Sequence, residues 1–136
     1  MKFITILPLL IVSISTYGQS KKLTDEQINK SGATKLTFVE NLKQAKDLAQ
    51  VDIANGTAFL LLAGGISPKV FATDSQFQED YNVNYLESGC TGSSEKFAVE
   101  YDKVIFGYLT EKNGKKWMRK IRKDVIGFKD FKKEHL

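Results

Sequence analysis

Cys90 and His135 are the single cysteine and single histidine of a 136-residue chain, and they bound its chemistry. They are too few for a zinc site built from nitrogen and sulfur ligands, and they allow one Cys–His pair at most. A nucleophilic thiol needs a base within hydrogen-bond reach. His135 stands next to the last residue, in a segment expected to be a loose tail, so the two are not expected to meet. Cys90 precedes a helix expected from Ser94, whose N–H groups would lower a thiol pKa. The opposing reading makes it a small buried hydrophobe without a resolving partner. The carboxylates Glu79, Asp80, Glu87, Glu95 and Asp102 show no spacing that sets a general acid beside a base. GxSxG, GxGxxG and a phosphate-loop lysine motif are absent. The sequence therefore nominates no catalytic residue, metal or cofactor, and a thiol enzyme using Cys90 stands only as the competing class.

Charge gives a second candidate. Residues 111–136 hold ten Lys and Arg against four acids, whereas residues 19–110 hold nine against twelve. The overall +4 thus sums an acidic body and a basic end. Lys115, Lys116, Arg119 and Arg122 are the candidate anion-binding set, acting by summed Coulomb attraction that salt weakens. The competing explanation is the solvated face of an amphipathic helix whose dipole favours cations near its C-terminus. Nucleic acid is not the expected partner of an exported chain.

Glycine-rich turns give a third. Gly64-Gly65 and Ser88-Gly89-Cys90 each follow an expected strand. If those strands are parallel neighbours, both turns leave the carboxyl edge of the sheet, where open α/β sheets place ligands. Gly64, Gly65, Ser88, Gly89 and Cys90 are the candidate ligand-binding residues, with hydroxyls from Ser67, Thr91, Ser93 and Ser94 nearby.

The elements that must position these residues follow from periodicity. Residues 19–35 are polar, with Leu23 and Ile28 the only large apolar side chains, and read as a frayed arm. Thr24 to Gln27 fits a capping box there. Thr37 and Glu40 repeat that spacing, and Phe38, Leu42, Ala45, Ala49 and Ile53 recur at helical intervals up to Asn55-Gly56, a helix stop. Residues 57–63 form an apolar run suited to a strand buried on both faces. A short helix is expected over 74–80, and 83–87 alternates like a strand. Strand, helix and strand in about 30 residues predict an α/β fold, a small βαβ unit with parallel strands packed by amphipathic helices. Phe97, Tyr101, Val104, Ile105 and Tyr108 predict a helix over 94–110. Trp117, Ile121 and Val125 predict another over 115–126. The composition, 42% hydrophobic and 26% charged, suits one domain (36–127) and excludes disordered, collagen-like and disulfide-stapled classes. Residues 128–136 read as a basic tail.

The N-terminus reads as a secretory leader. Lys2 precedes an apolar run over 3–14, shorter than the roughly 20 residues of a spanning helix. Thr16-Tyr17-Gly18 then places small residues for cleavage before Gln19. The expected mature chain, from Gln19, is a secreted or periplasmic monomer with no membrane span.

The pattern Phe77-x-x-x-Tyr81-x-Val83-x-Tyr85 is followed by the Gly89-Cys90 turn and Tyr101 through Tyr108-Leu109. Trp117 and Ile121-Arg122-Lys123-Asp124-Val125-Ile126-Gly127 come next, and Gly64-Gly65-Ile66-Ser67-Pro68 precedes them all. Over residues 57–127 these features resemble a family of small uncharacterised exported bacterial proteins. The resemblance implies an exported α/β domain and transfers no catalytic residue. The expectation is a non-catalytic binding or interaction module for a protein or small ligand. Its alternatives are the Cys90 enzyme and an anionic-surface binder using the basic end.

Overall fold

The computed structural model describes residues 22–88 and 94–136. The leader with its Gly18–Gln19 cleavage point, and the site candidates Gly89 and Cys90, lie outside the described residues. The chain order is α1 (Asp25–Lys30), α2 (Gly32–Lys35), a 3-10 turn (Leu36–Phe38), α3 (Leu42–Asn55) and β1 (Phe59–Ala63). It continues with α4 (Asp74–Tyr81), β2 (Asn84–Ser88), α5 (Glu95–Asn113), a second 3-10 turn (Lys116–Arg119) and α6 (Phe128–His135). The fold is mixed α/β, with β1 and β2 forming a two-stranded parallel sheet.

Strand β1 is the centre of the core. Phe59, Leu60, Leu61 and Leu62 are each at most 2% exposed, as its unbroken apolar run requires. Each such side chain contributes about 1.5–3 kcal/mol by leaving water. In register, Leu60 lies opposite Tyr85 and Ala63 opposite Ser88, so both strands end at the same edge.

The other side of β1 has no strand beside it, and its backbone groups are met by three different devices. Phe59 N–H donates to the Tyr101 hydroxyl at 3.4 Å, and Leu61 N–H donates to both Asp102 oxygens at 3.1 and 3.2 Å. Ala63 N–H then donates to the Asp124 carbonyl at 3.0 Å, and Ile126 N–H donates to the Leu61 carbonyl at 2.8 Å. An open sheet edge is an aggregation hazard, and here α5 and residues 124–126 close it. This explains why 115–126 is not the continuous helix its spacing predicts. Only Lys116–Arg119 coils, and Val125 forms an antiparallel bridge with Leu62. Ile121 and Val125 are buried as expected, but on a path of turns and one bridge residue, not on a helix.

The N-terminal arm is docked, not frayed. Thr24 and Gln27 make the expected capping box on α1. The Gly32 and Ala33 amides donate to Asp52 of α3 at 2.7 and 3.0 Å, and Leu36 is buried. Asp52 also accepts from Thr57 Oγ1 at 3.2 Å and from the Tyr101 hydroxyl at 2.6 Å. One buried carboxylate thereby ties α2, α3, the start of β1 and α5 together.

Helix α3 starts later than the Thr37–Glu40 spacing suggests. Asn41 caps it, accepting from Gln44 N–H at 3.0 Å, while Phe38 is 82% exposed. Its buried stripe is Ala45, Ala49 and Asp52, and small side chains let it pack closely on α5. Gly56 ends it at φ 68, a left-handed conformation that favours glycine.

The expected tail is helix α6. Phe128 and Phe131 are buried three residues apart and pack on Phe106 at 5.8 and 5.0 Å, with Trp117 stacked on the same ring at 5.6 Å.

Candidate functional site

The carboxyl edge of the sheet collects part of the expected ligand set. Ala63 and Ser88 pair at this edge, and Gly64-Gly65 leaves from it. Gly64 and Gly65 are exposed, and neither adopts the positive φ that would demand glycine. Among the described residues, a Cβ at Gly65 would meet only the Ser67 carbonyl oxygen, at 3.9 Å.

Arg122 organises this edge, apart from the groove that Lys115, Lys116 and Arg119 line. Its guanidinium is enclosed, with a side chain only 6% exposed. Nε and Nη2 donate to the two Asp124 oxygens at 2.9 and 2.6 Å, a bidentate pair. Nη1 donates to Asp74 Oδ2 at 2.9 Å and to the Lys69 carbonyl at 2.7 Å. The rings of Phe71 and Tyr85 lie 4.7 and 5.4 Å from Cζ, and the Tyr85 hydroxyl accepts from Arg122 N–H at 3.2 Å. The hydrogen bonds from Arg122 hold the Asp124 carboxyl below its usual pKa, and the same bonds raise that of Arg122. Burial pushes the Tyr85 phenol upward. Four of the five N–H donors of Arg122 are thus taken up within the fold. The side chain clamps the loop over 64–73 onto the segment after Ile121. Lys69 N–H adds a bond to Glu87 at 3.0 Å.

The rest of the basic set lies elsewhere. Lys115, Lys116 and Arg119 are exposed on and beside the second 3-10 turn, and with Met118, Lys132 and Leu136 they line a groove of about 550 Å³. A neighbouring groove of about 520 Å³ is lined by Lys123, Phe128, Lys129, Lys132, Lys133 and Leu136. The two share Lys132 and Leu136, so they form one continuous basic surface around the end of α6. Lys115 Nζ donates to the His135 carbonyl, which fixes the turn against the helix. Lys116, Arg119, Lys123, Lys129 and Lys132 have no carboxylate partner among the described residues. The lining is mostly hydrocarbon, from lysine stems, Phe128 and Leu136. Long cationic side chains cover apolar surface this way while their charged ends stay in water.

Two buried carboxylates escaped sequence reasoning as structural anchors. Asp52 occupies the inward stripe of α3, and the signal was an acid three residues after Ala49 on an otherwise small, apolar face. Asp102 is fully buried, and burial raises its pKa well above the ordinary value despite the Leu61 amide. Burial first, then the charge of Asp52, raises that of Tyr101 as well. Neither acid lines the grooves described above, and their role is to hold β1. His135 stacks on Phe131 at 3.9 Å with Nδ1 beside the Phe131 carbonyl at 2.8 Å. Among the described residues no group of His, Cys, Asp and Glu is arranged to hold a metal.

No protein-family model, curated protein or solved structure matches this chain.

Proposed function

We propose that the chain is an exported, non-catalytic binding module, built on a small βαβ unit of β1, α4 and β2, that takes an anionic partner in the basic groove between the Lys116–Arg119 turn and α6. One observation carries the reading. Lys116, Arg119, Lys123, Lys129 and Lys132 crowd around one apolar-floored groove, and none of them has a carboxylate partner among the described residues. Unneutralised charges crowded on one face repel each other, and an anion relieves that repulsion. The leader pattern over 1–18 supports export. No helix among the described residues is long and apolar enough to cross a membrane.

Heparin chromatography tests the reading. The protein should be retained and elute in a salt-dependent position. Lys116→Gln, Arg119→Gln and Lys132→Gln together should move elution to markedly lower salt. Unchanged retention removes the groove as the site. Mass spectrometry of the exported protein tests the leader, and a first residue of Gln19 is the expected result.

A further inference from the structure

The basic face has a sidedness that net charge does not reveal. Asp130 and Glu134, the two acids of α6, are four residues apart and line a separate depression with Val99, Lys103 and Gly127, on the side of the helix that meets α5. Lys129, Lys132 and Leu136 line the grooves on the other side. Helix α6 therefore turns Phe128 and Phe131 into the core and its acids toward α5, with Lys133 at the boundary beside Asp130, and it turns Lys129 and Lys132 outward beside the cations of the Lys116–Arg119 turn. Leu136, which lines both basic grooves, is 78% exposed.

We propose that this face docks the protein on a bilayer containing anionic lipid, with the lysine and arginine heads at the phosphates and Leu136 in the acyl boundary. The inference rests on the anionic-partner reading above and names its chemistry. Charge complementarity alone would suit any polyanion. The hydrocarbon lining and the exposed leucine of the basic grooves add a requirement that only an amphiphilic surface meets. Lysine stems lying along apolar surface with their ammonium groups outward are the arrangement of a side chain at a headgroup boundary. Each Lys or Arg near an anionic leaflet strengthens binding several-fold, so the five cations without carboxylate partners suffice for stable, reversible association. The outward face of a single short helix, with one inserted leucine, places the protein on the membrane and not through it.

Vesicle co-sedimentation tests this, with phosphatidylglycerol–phosphatidylcholine vesicles compared against phosphatidylcholine alone. Residues 3–14 are themselves apolar, so the readout is the difference between variants that share that segment. Binding to the anionic vesicles should fall roughly 100-fold in the Lys116→Gln, Arg119→Gln, Lys132→Gln variant, about several-fold for each charge removed. Leu136→Ala should weaken vesicle binding a few-fold while leaving heparin retention unchanged. Circular dichroism confirms that each variant folds. A preference for anionic over phosphatidylcholine vesicles that is the same in the triple variant overturns the proposal, as does tighter binding to polyglutamate than to anionic vesicles, which would point to an acidic protein. Heparin retention that depends on the groove, with no vesicle binding, overturns the lipid assignment and leaves the anionic-partner reading standing. Loss of neither on triple substitution overturns both.

Discussion

Replacing Arg122 by methionine keeps an unbranched apolar stem and removes the guanidinium with its charge and all its donors. The structure allows the consequence to be worked through. Asp74, 7% exposed, would keep one hydrogen bond, from the Phe71 amide to Oδ2 at 2.9 Å, and its Oδ1 already has no partner. Asp124 would lose both halves of its bidentate pair, and the Lys69 carbonyl its donor. Breaking a buried pair by deleting one member costs about 3–5 kcal/mol, because the remaining charge is left desolvated. At about 4 °C per kcal/mol for a domain of this size, the melting temperature should fall by roughly 12–20 °C. The loop over 64–73 should open first, so trypsin cleavage after Lys69 should accelerate well before global unfolding. Arg122→Lys retains charge without the fork and should fall between the two proteins. The acid limb supplies an independent check. Asp124 has a lowered folded pKa, so its contribution is full above about pH 4, the ordinary carboxylate range, and is lost as pH falls through the lower folded value. Arg122→Met should flatten that limb. Heparin retention should be unchanged, since Arg122 is not on the basic groove. A melting temperature within a degree or two of the unsubstituted protein, with unchanged cleavage at Lys69, would refute the clamp.

Three further outcomes follow from the core. Asp102→Asn keeps an acceptor for the Leu61 amide and removes the ionisable group. Because burial raises the folded pKa of Asp102, its stabilisation is full below about pH 4 and declines as pH rises. The melting temperature of the substituted protein should therefore gain on the parent between pH 4 and pH 8, and parallel pH profiles would contradict this. Asp52→Ala leaves the Gly32 and Ala33 amides, the Thr57 hydroxyl and the Tyr101 hydroxyl without their acceptor, and urea unfolding should show a loss of about 3–5 kcal/mol. Gly32→Ala and Gly107→Ala should have opposite signs. At Gly32 a Cβ would lie 2.6 Å from the Leu48 carbonyl oxygen and 2.8 Å from its Cβ, costing about 1–3 kcal/mol. At exposed Gly107, inside α5, nothing lies within 4 Å, and alanine should add about 0.5–1 kcal/mol.

What the sequence showed and what it hid divide along one line. Elements whose stability is local were legible. The apolar run before Ala63, the Asn55-Gly56 stop, the capping box at Thr24 and the Phe97–Tyr108 stripe all appear within a residue or two of where the pattern puts them. The parallel pairing was also expected, from the short strand–helix–strand order. Elements decided by distant partners were not legible. Residues 120–126 have helical spacing, but the Ala63 amide of β1 donates to the Asp124 carbonyl and the Leu61 carbonyl accepts from Ile126 N–H, a better arrangement. The arm over 22–36 looks too polar to dock, and it docks through backbone amides on Asp52, a contact no side-chain pattern displays. The last residues read as a solvated run because charged side chains outnumber apolar ones there, five to three. Phe128 and Phe131, three apart after Gly127, were the available sign of a packed helix. At the candidate site, Lys115, Lys116 and Arg119 were legible as a basic patch. The loss of Arg122 to Asp74 and Asp124, and its replacement by Lys132 from α6, needed the tertiary fold.

The central claim is that the binding surface is the groove between the Lys116–Arg119 turn and α6. Backbone amide shifts measured by NMR during titration with inorganic polyphosphate address it residue by residue. The account predicts that perturbations concentrate at 115–119 and 128–136 and shrink as salt is raised. Perturbations concentrated instead at 64–73, with 115–119 and 128–136 unmoved, would contradict it and move the site to the carboxyl edge of the sheet.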